Sequence, residues 1–168
     1  VQVDENQPWD IGASADEAIE LRKTILYDVL FSGGHIECYF GCYAPHPGGD
    51  LTVEEFRTRS EIWEYSRDAR ELMEGRVPFW RMWPKDHLLA GESQDWGGGE
   101  VFVDGNDLFA IYLPHATDSG VLDLTQADGS FVMRWFDPRQ GATLASIRIV
   151  PDGGMLPLGA PPSQADED

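Results

Sequence analysis

The stretch GGGEVFVDGNDLFAIYLP, Gly97 to Pro114, decides how the second half of this chain folds. Two β-rich runs, Glu100 to Asp104 and Asp107 to Leu113, flank the pair Gly105-Asn106. Those two residues tolerate positive φ, so the segment reads as antiparallel strands joined by a two-residue turn. The glycines Gly97, Gly98 and Gly99 do not open a helix, and no Lys-Ser or Lys-Thr follows them. That argues against a phosphate loop and for a flexible lead into a strand.

Outward from this hairpin the same period continues. His87 to Ala90, Gly120 to Thr125, Ser130 to Phe136 and Leu144 to Val150 read as further short strands. Asp137-Pro138-Arg139-Gln140-Gly141 is a turn, with Pro138 presetting φ and Gly141 suited to a left-handed position. Short strands at regular spacing, with turn chemistry between them, predict an antiparallel β-sandwich over residues 76–168. Pro161-Pro162 and the acidic tail Asp166 to Asp168 read as a frayed or cut end.

Before Gly75 the period is helical. Ser14 with Glu17 and Thr52 with Glu55 fit capping boxes, in which each side chain satisfies an orphan amide. The first box opens a helix running to Phe31 and ended by Gly33-Gly34; the second opens one carrying Phe56, Ile62, Trp63, Tyr65, Ala69, Leu72 and Met73. Val1 to Glu5 and His35 to Phe40 read as short strands. The expected fold class is therefore α+β: a short α/β unit of two helices and two strands at residues 1–75, mostly helical, followed by the sandwich.

Composition narrows the function. The 168 residues carry 30 acidic and 12 basic side chains, for a net charge of -18. Such a surface repels nucleic-acid phosphates and anionic membranes, and no apolar run reaches the ~20 residues of a membrane helix. Hydrophobic residues at 42% and aromatics at 11% suffice for a packed core. Cys38 and Cys42 cannot staple a domain; buried thiols, a local disulfide and a metal role all stay open.

Candidate chemistry is sparse. Glu5 ends one strand and Glu37 lies in the next, the position at which strand-end carboxylates of a parallel barrel face substrate. Two such groups are the equipment of a glycosidase, one donating a proton and the other acting as nucleophile or base. His46 with Asp50 reads as turn chemistry, and His35, His87 and His115 lack ligand spacing, so no metal and no cofactor is expected. The aromatic set Trp80, Trp83, Trp96, Tyr112, Trp135 and Phe136 divides between core packing and stacking on sugar rings. Trp96, beside glycines, is the foremost stacking candidate.

The pieces VPFWRMWPKDHLL (Val77 to Leu89), Gly97 to Pro114, the run Val121 to Leu124, RWFDPRQG (Arg134 to Gly141) and the late PLGAPP resemble the domain labelled collagen-binding that follows a glycoside-hydrolase-like barrel. The earlier pieces VDEN (Val3 to Asn6), Leu21 to Gly41 and Gly49 to Glu71 resemble the last strands and helices of apiosidase-like hydrolases. The resemblance implies a barrel remnant at 1–75 with an acid near Glu5 in the substrate region, followed by an accessory β module. A full barrel needs about 250 residues, and far fewer precede the module here, so both ends read as truncated. The expected function is a structural or glycan-associated accessory module without activity of its own. Its alternatives are a glycoside hydrolase completed by further chain, and a protein-binding module for collagen-like partners. The expected partners are a polysaccharide or glycan and a second copy, the latter because helices shaped for absent neighbours should bare apolar faces and pair as a homodimer. The resemblance also implies an extracytoplasmic or secreted location.

Overall fold

The computed structural model describes residues 2–3, 15–36, 60–92, 98–116, 120–127, 129–149 and 154–162. The first helical run is α1 (Ala15–Leu21), a π-helical stretch (Arg22–Leu26) and α2 (Tyr27–Phe31). It ends as the glycine pair requires. Gly33 takes φ +73°. The Gly34 N–H donates to the Val29 carbonyl at 2.8 Å and the Gly33 N–H to that of Leu30 at 3.2 Å, the paired bonds of a left-handed helix terminus. The second long helix is α3 (Ser60–Gly75). Ser14, Thr52 and Glu55 of the two capping boxes lie outside the described residues.

Strands β1 (Gln2–Val3) and β2 (His35–Ile36) pair in parallel. Two residues per strand establish mixed helix and strand, but they do not draw a barrel wall. The remaining strands are antiparallel: β3 (Trp83–Pro84), β4 (Leu89–Ala90), β5 (Glu100–Asp104), β6 (Leu108–Tyr112), β7 (Val121–Asp123), β8 (Phe131–Asp137), β9 (Ala142–Ile149) and β10 (Met155–Pro157). They form the sheets β3-β5-β6 and β10-β7-β4 and the hairpin β8-β9.

Register corrects one expectation. Asp104 pairs with Leu108, so the β5–β6 loop has three residues, Gly105, Asn106 and Asp107, rather than two. Asp107 is drawn into the turn because its N–H donates to the Asp104 carbonyl at 3.2 Å. Gly105 supplies the positive φ, +57°. Strands β3 and β10 had no counterpart in the sequence reading. Each has only two or three residues and both contain proline, so neither shows a period.

Side-chain alternation on β5 and β6 divides the core. Phe102 and Tyr112 are buried with Leu21, Tyr27, Phe31 and Ile62 of the helices. Val101, Val103 and Ile111 pack instead with Leu89, Leu122 and Leu158. Successive residues of a strand point to opposite faces, so the β3-β5-β6 sheet carries helices on one face and the other strands on the opposite one. Tyr27 stacks on Tyr112 at 5.4 Å, and the Tyr112 hydroxyl donates to the Lys23 carbonyl at 2.8 Å.

This packing covers much of the described apolar surface of the helices within the chain itself. The buried helical side chains pack against one another and against Phe102 of β5 and Tyr112 of β6, whose strands are apolar on their second face as well. Among the described helical residues the large apolar side chains left exposed are Ile19 (37%) and Trp63 (40%).

A buried polar joint fixes the β8–β9 turn against the helices. Asp137, 2% exposed, accepts from Arg139 Nε and Nη2, both at 2.9 Å, and from the Arg139 backbone N–H at 2.9 Å. Burial alone would raise this carboxyl. The hydrogen bonds from Arg139, together with the charges of Arg139 and Arg22, outweigh it and hold the group below its ordinary value. Arg22 is itself buried, with its guanidinium 4.6 Å from the centre of the Tyr65 ring on α3. Gly141 sits at φ +61°, and a Cβ there would lie 2.7 Å from Asp68 Cγ of the same helix. The DPRQG segment therefore reads correctly as a turn, and it is also the docking point of the hairpin.

Candidate functional site

Where α3 stops, the chain doubles back and leaves its aromatics in solvent. Pro78 precedes the turn Phe79–Arg81, Met82 is driven into the core, and β3 follows. Phe79 is 45% exposed, Trp80 70% and Trp83 71%. Phe79 and Trp80 meet edge to face with centroids 5.4 Å apart. Phe79 and Trp83 border a cleft of about 700 Å³ whose other wall is the segment Ser32 to Ile36. Its floor is apolar, including Leu26, Ala69, Met73, Met82 and Phe102.

Helix α3 contributes a row at three- and four-residue spacing: Trp63, Ser66, Arg70 and Glu74. This row lies beside the buried stripe of Ile62, Ala69 and Met73. Arg70 Nε holds Glu74 Oε1 at 2.8 Å, which fixes both polar groups at the rim. His35 adds an exposed imidazole on the opposite side. The loop wall lies close against the sheet. A Cβ on Gly33 would stand 3.3 Å from Phe102 Cε2 and 3.7 Å from Pro84 Cδ, so glycine serves both the left-handed turn and the close approach.

Behind this wall lies a carboxyl cluster. The Ser32 hydroxyl donates to Glu100 Oε2 at 3.0 Å, and the Val101 N–H donates to Asp86 Oδ1 at 3.0 Å. Glu100 is raised to about 7, chiefly by burial and then by the charge of Asp86. Asp28 and a proton shared with Asp86 push the same way, while the Ser32 bond opposes them. A carboxyl that holds its proton near neutrality beside a second carboxyl has attributes of an acid–base pair. Glu100 does not line the cleft, however; Ser32 stands between. The pair therefore anchors the loop that walls the cleft.

Glu5, Glu37 and Trp96, the residues singled out in the sequence, lie outside the described residues, as do Cys38, Cys42, His46 and Asp50. Of the remaining aromatics, Trp80 and Trp83 are brought to the cleft or its edge, Tyr112 is core, and Trp135 and Phe136 are partly buried. The sequence pattern places Trp63 on the second helix and assigns Phe79 no role. The available signal was a tryptophan in an otherwise polar row of α3, and aromatics crowded between Pro78 and Pro84. Among the described residues no group of three or more His, Cys, Asp or Glu is arranged to hold a metal ion. No described helix is long and apolar enough to cross a membrane.

Comparison with family models, with curated proteins and with solved structures returned no match to this chain.

Proposed function

We propose that this chain is a glycan-associated accessory β module of a carbohydrate-active protein, with β3 to β10 as a sandwich and the cleft between α3 and β3 as its sugar-binding surface. The observation that carries this reading is the convergence of Trp63, Phe79 and Trp83, each at least 40% exposed, on one cleft with fixed polar groups at its rim. Flat exposed rings offer an apolar face to the C–H side of a pyranose. Ser66, His35 and the Arg70–Glu74 pair can exchange hydrogen bonds with its hydroxyls. Leaving such rings in water has no benefit for folding, since burial stabilises at roughly 25 cal/mol per Å².

The net charge of -18 favours a neutral glycan over a polyuronate, because like charges oppose approach. No catalytic step is assigned to the module. An extracytoplasmic site of action follows from the ligand class. Affinity electrophoresis tests the reading: native gels cast with neutral plant or algal polysaccharides should retard the protein, and the Trp83→Ala variant should run freely. A pectin gel should retard it less. Capture on collagen with no retardation in any polysaccharide would replace this reading with a protein-binding one.

A further inference from the structure

We infer that the gap between β6 and the β8-β9 hairpin is a docking groove for an extended, largely apolar peptide strand that carries carboxylates, independent of the aromatic cleft. The gap has a volume of about 650 Å³. It is lined by consecutive residues of both strands, Leu108 to Leu113 and Val132 to Phe136. Contact through a strand's face would involve alternate residues; consecutive ones mean that the strands turn their edges to the gap. The pairing order agrees. Among the described residues, β6 is the last strand of β3-β5-β6 and the β8-β9 sheet has two strands. Each edge offers a row of N–H and C=O groups to an incoming backbone. Phe109 and Phe131 meet edge to face at 5.6 Å, so the two strands touch through side chains without a ladder between them.

The walls specify the occupant. On the helical side they include Tyr27, Phe31 and Leu72, and on the other Leu113, Ala116 and Leu158. A strand in this place is covered on both faces and needs a continuous apolar run rather than alternation. The charges add a second requirement. Arg67, Arg70, Arg81 and Arg139 each pair with a carboxylate of this chain. Arg76 and Arg134, which line the gap, have no carboxylate partner among the described residues. Arg76 donates to the Thr143 hydroxyl and lies 6.0 Å from the Phe136 ring centre, and Arg134 is exposed. Two guanidiniums beside an apolar groove, neither with a carboxylate partner among the described residues, locally call for a carboxylate on the incoming strand. Strand addition then supplies main-chain hydrogen bonds for affinity and side-chain pockets for selection.

The test uses a capped hexapeptide, Asp-Val-Ile-Val-Ile-Asp, about the length of β6 at ~3.4 Å per residue. Calorimetry with the whole chain should show saturable binding. The same peptide N-methylated at alternate amides, and one with lysine at both ends, should each bind at least about tenfold more weakly. Arg134→Glu, at an exposed position and checked for folding by circular dichroism, should weaken the acidic peptide and improve the lysine-ended one. Equal affinity of the N-methylated peptide would overturn strand addition, since the groove would be a plain apolar sink. Equal affinity of acidic and lysine-ended peptides would overturn the charge assignment. Self-association by sedimentation that the hexapeptide abolishes would also overturn it, by showing a second copy as the occupant.

Discussion

Replacing Asp137 by alanine removes the acceptor at the joint between helices and hairpin. The wild-type carboxylate receives three bonds from Arg139, each at 2.9 Å, and feels the charge of buried Arg22. Hydrogen bonds to charged groups contribute about 1.5–3 kcal/mol each, and not additively. Removing one member of a buried pair costs about 3–5 kcal/mol, because the partner charge is stranded. Arg139 keeps 20% of its side chain in water, so the lower end applies. We expect a loss of about 3 kcal/mol, which for a chain of this size lowers Tm by about 6–12 °C. Urea denaturation followed by circular dichroism should give a lower midpoint at unchanged slope. The acid limb carries a sign. A carboxyl held below its unfolded value contributes stability above the unfolded pKa, and that contribution disappears as pH falls through the folded one. The gap between wild type and Asp137→Ala should therefore be full at neutral pH and narrow progressively as pH falls below the unfolded aspartate value of about 3.9. A loss under about 1 kcal/mol at pH 7, or a coupling with Arg139→Met below about 0.5 kcal/mol, would show that the joint is not a stabilising unit.

Other outcomes follow from the same geometry. Gly141→Ala combines a left-handed φ with a Cβ 2.7 Å from Asp68 Cγ; calorimetric melting should show a loss of about 3 kcal/mol. Glu100→Gln should flatten the pH dependence of stability. The wild-type carboxyl, raised from 4.5 to about 7, favours folding most at acid pH, and that advantage is lost as pH rises to about 7. After allowance for its partial exposure the difference between pH 5 and pH 8 should be about 1 kcal/mol, read as a shift in urea midpoint that the variant lacks. Trp83→Ala, at a 71% exposed position, should leave stability within about 0.5 kcal/mol while removing retardation in polysaccharide gels. A large drop in its Tm would mean that the ring is structural.

The sequence spoke most clearly where a single period governed a segment. Strand β5 occupies the predicted Glu100–Asp104, and the helix ending at Gly33-Gly34 does so with the bonds those glycines implied. It spoke less clearly where a residue served two elements. Asp107 reads equally as strand or turn, and the turn won because its amide found Asp104. Phe102 and Tyr112 read as one side of a two-layer sheet, and helical periodicity alone could not say that α1 to α3 would cover them. Asp137 and Gly141 were legible as turn residues, but not as partners of Arg22 and Asp68, which are distant in sequence. The cleft was the least legible part. Exposure of Trp63 and Trp83 depends on where α3 stops relative to β3, which no local pattern states.

The claim that ties the account together is that the rings beside α3 and β3 meet sugar. A nitrogen-15 spectrum of the six indole N–H groups during titration with a neutral oligosaccharide reads this directly. The account predicts saturable shifts at Trp63 and Trp83, with Trp135 unmoved. Shifts centred on Trp135, or none at millimolar ligand across a panel of neutral glycans, would contradict it.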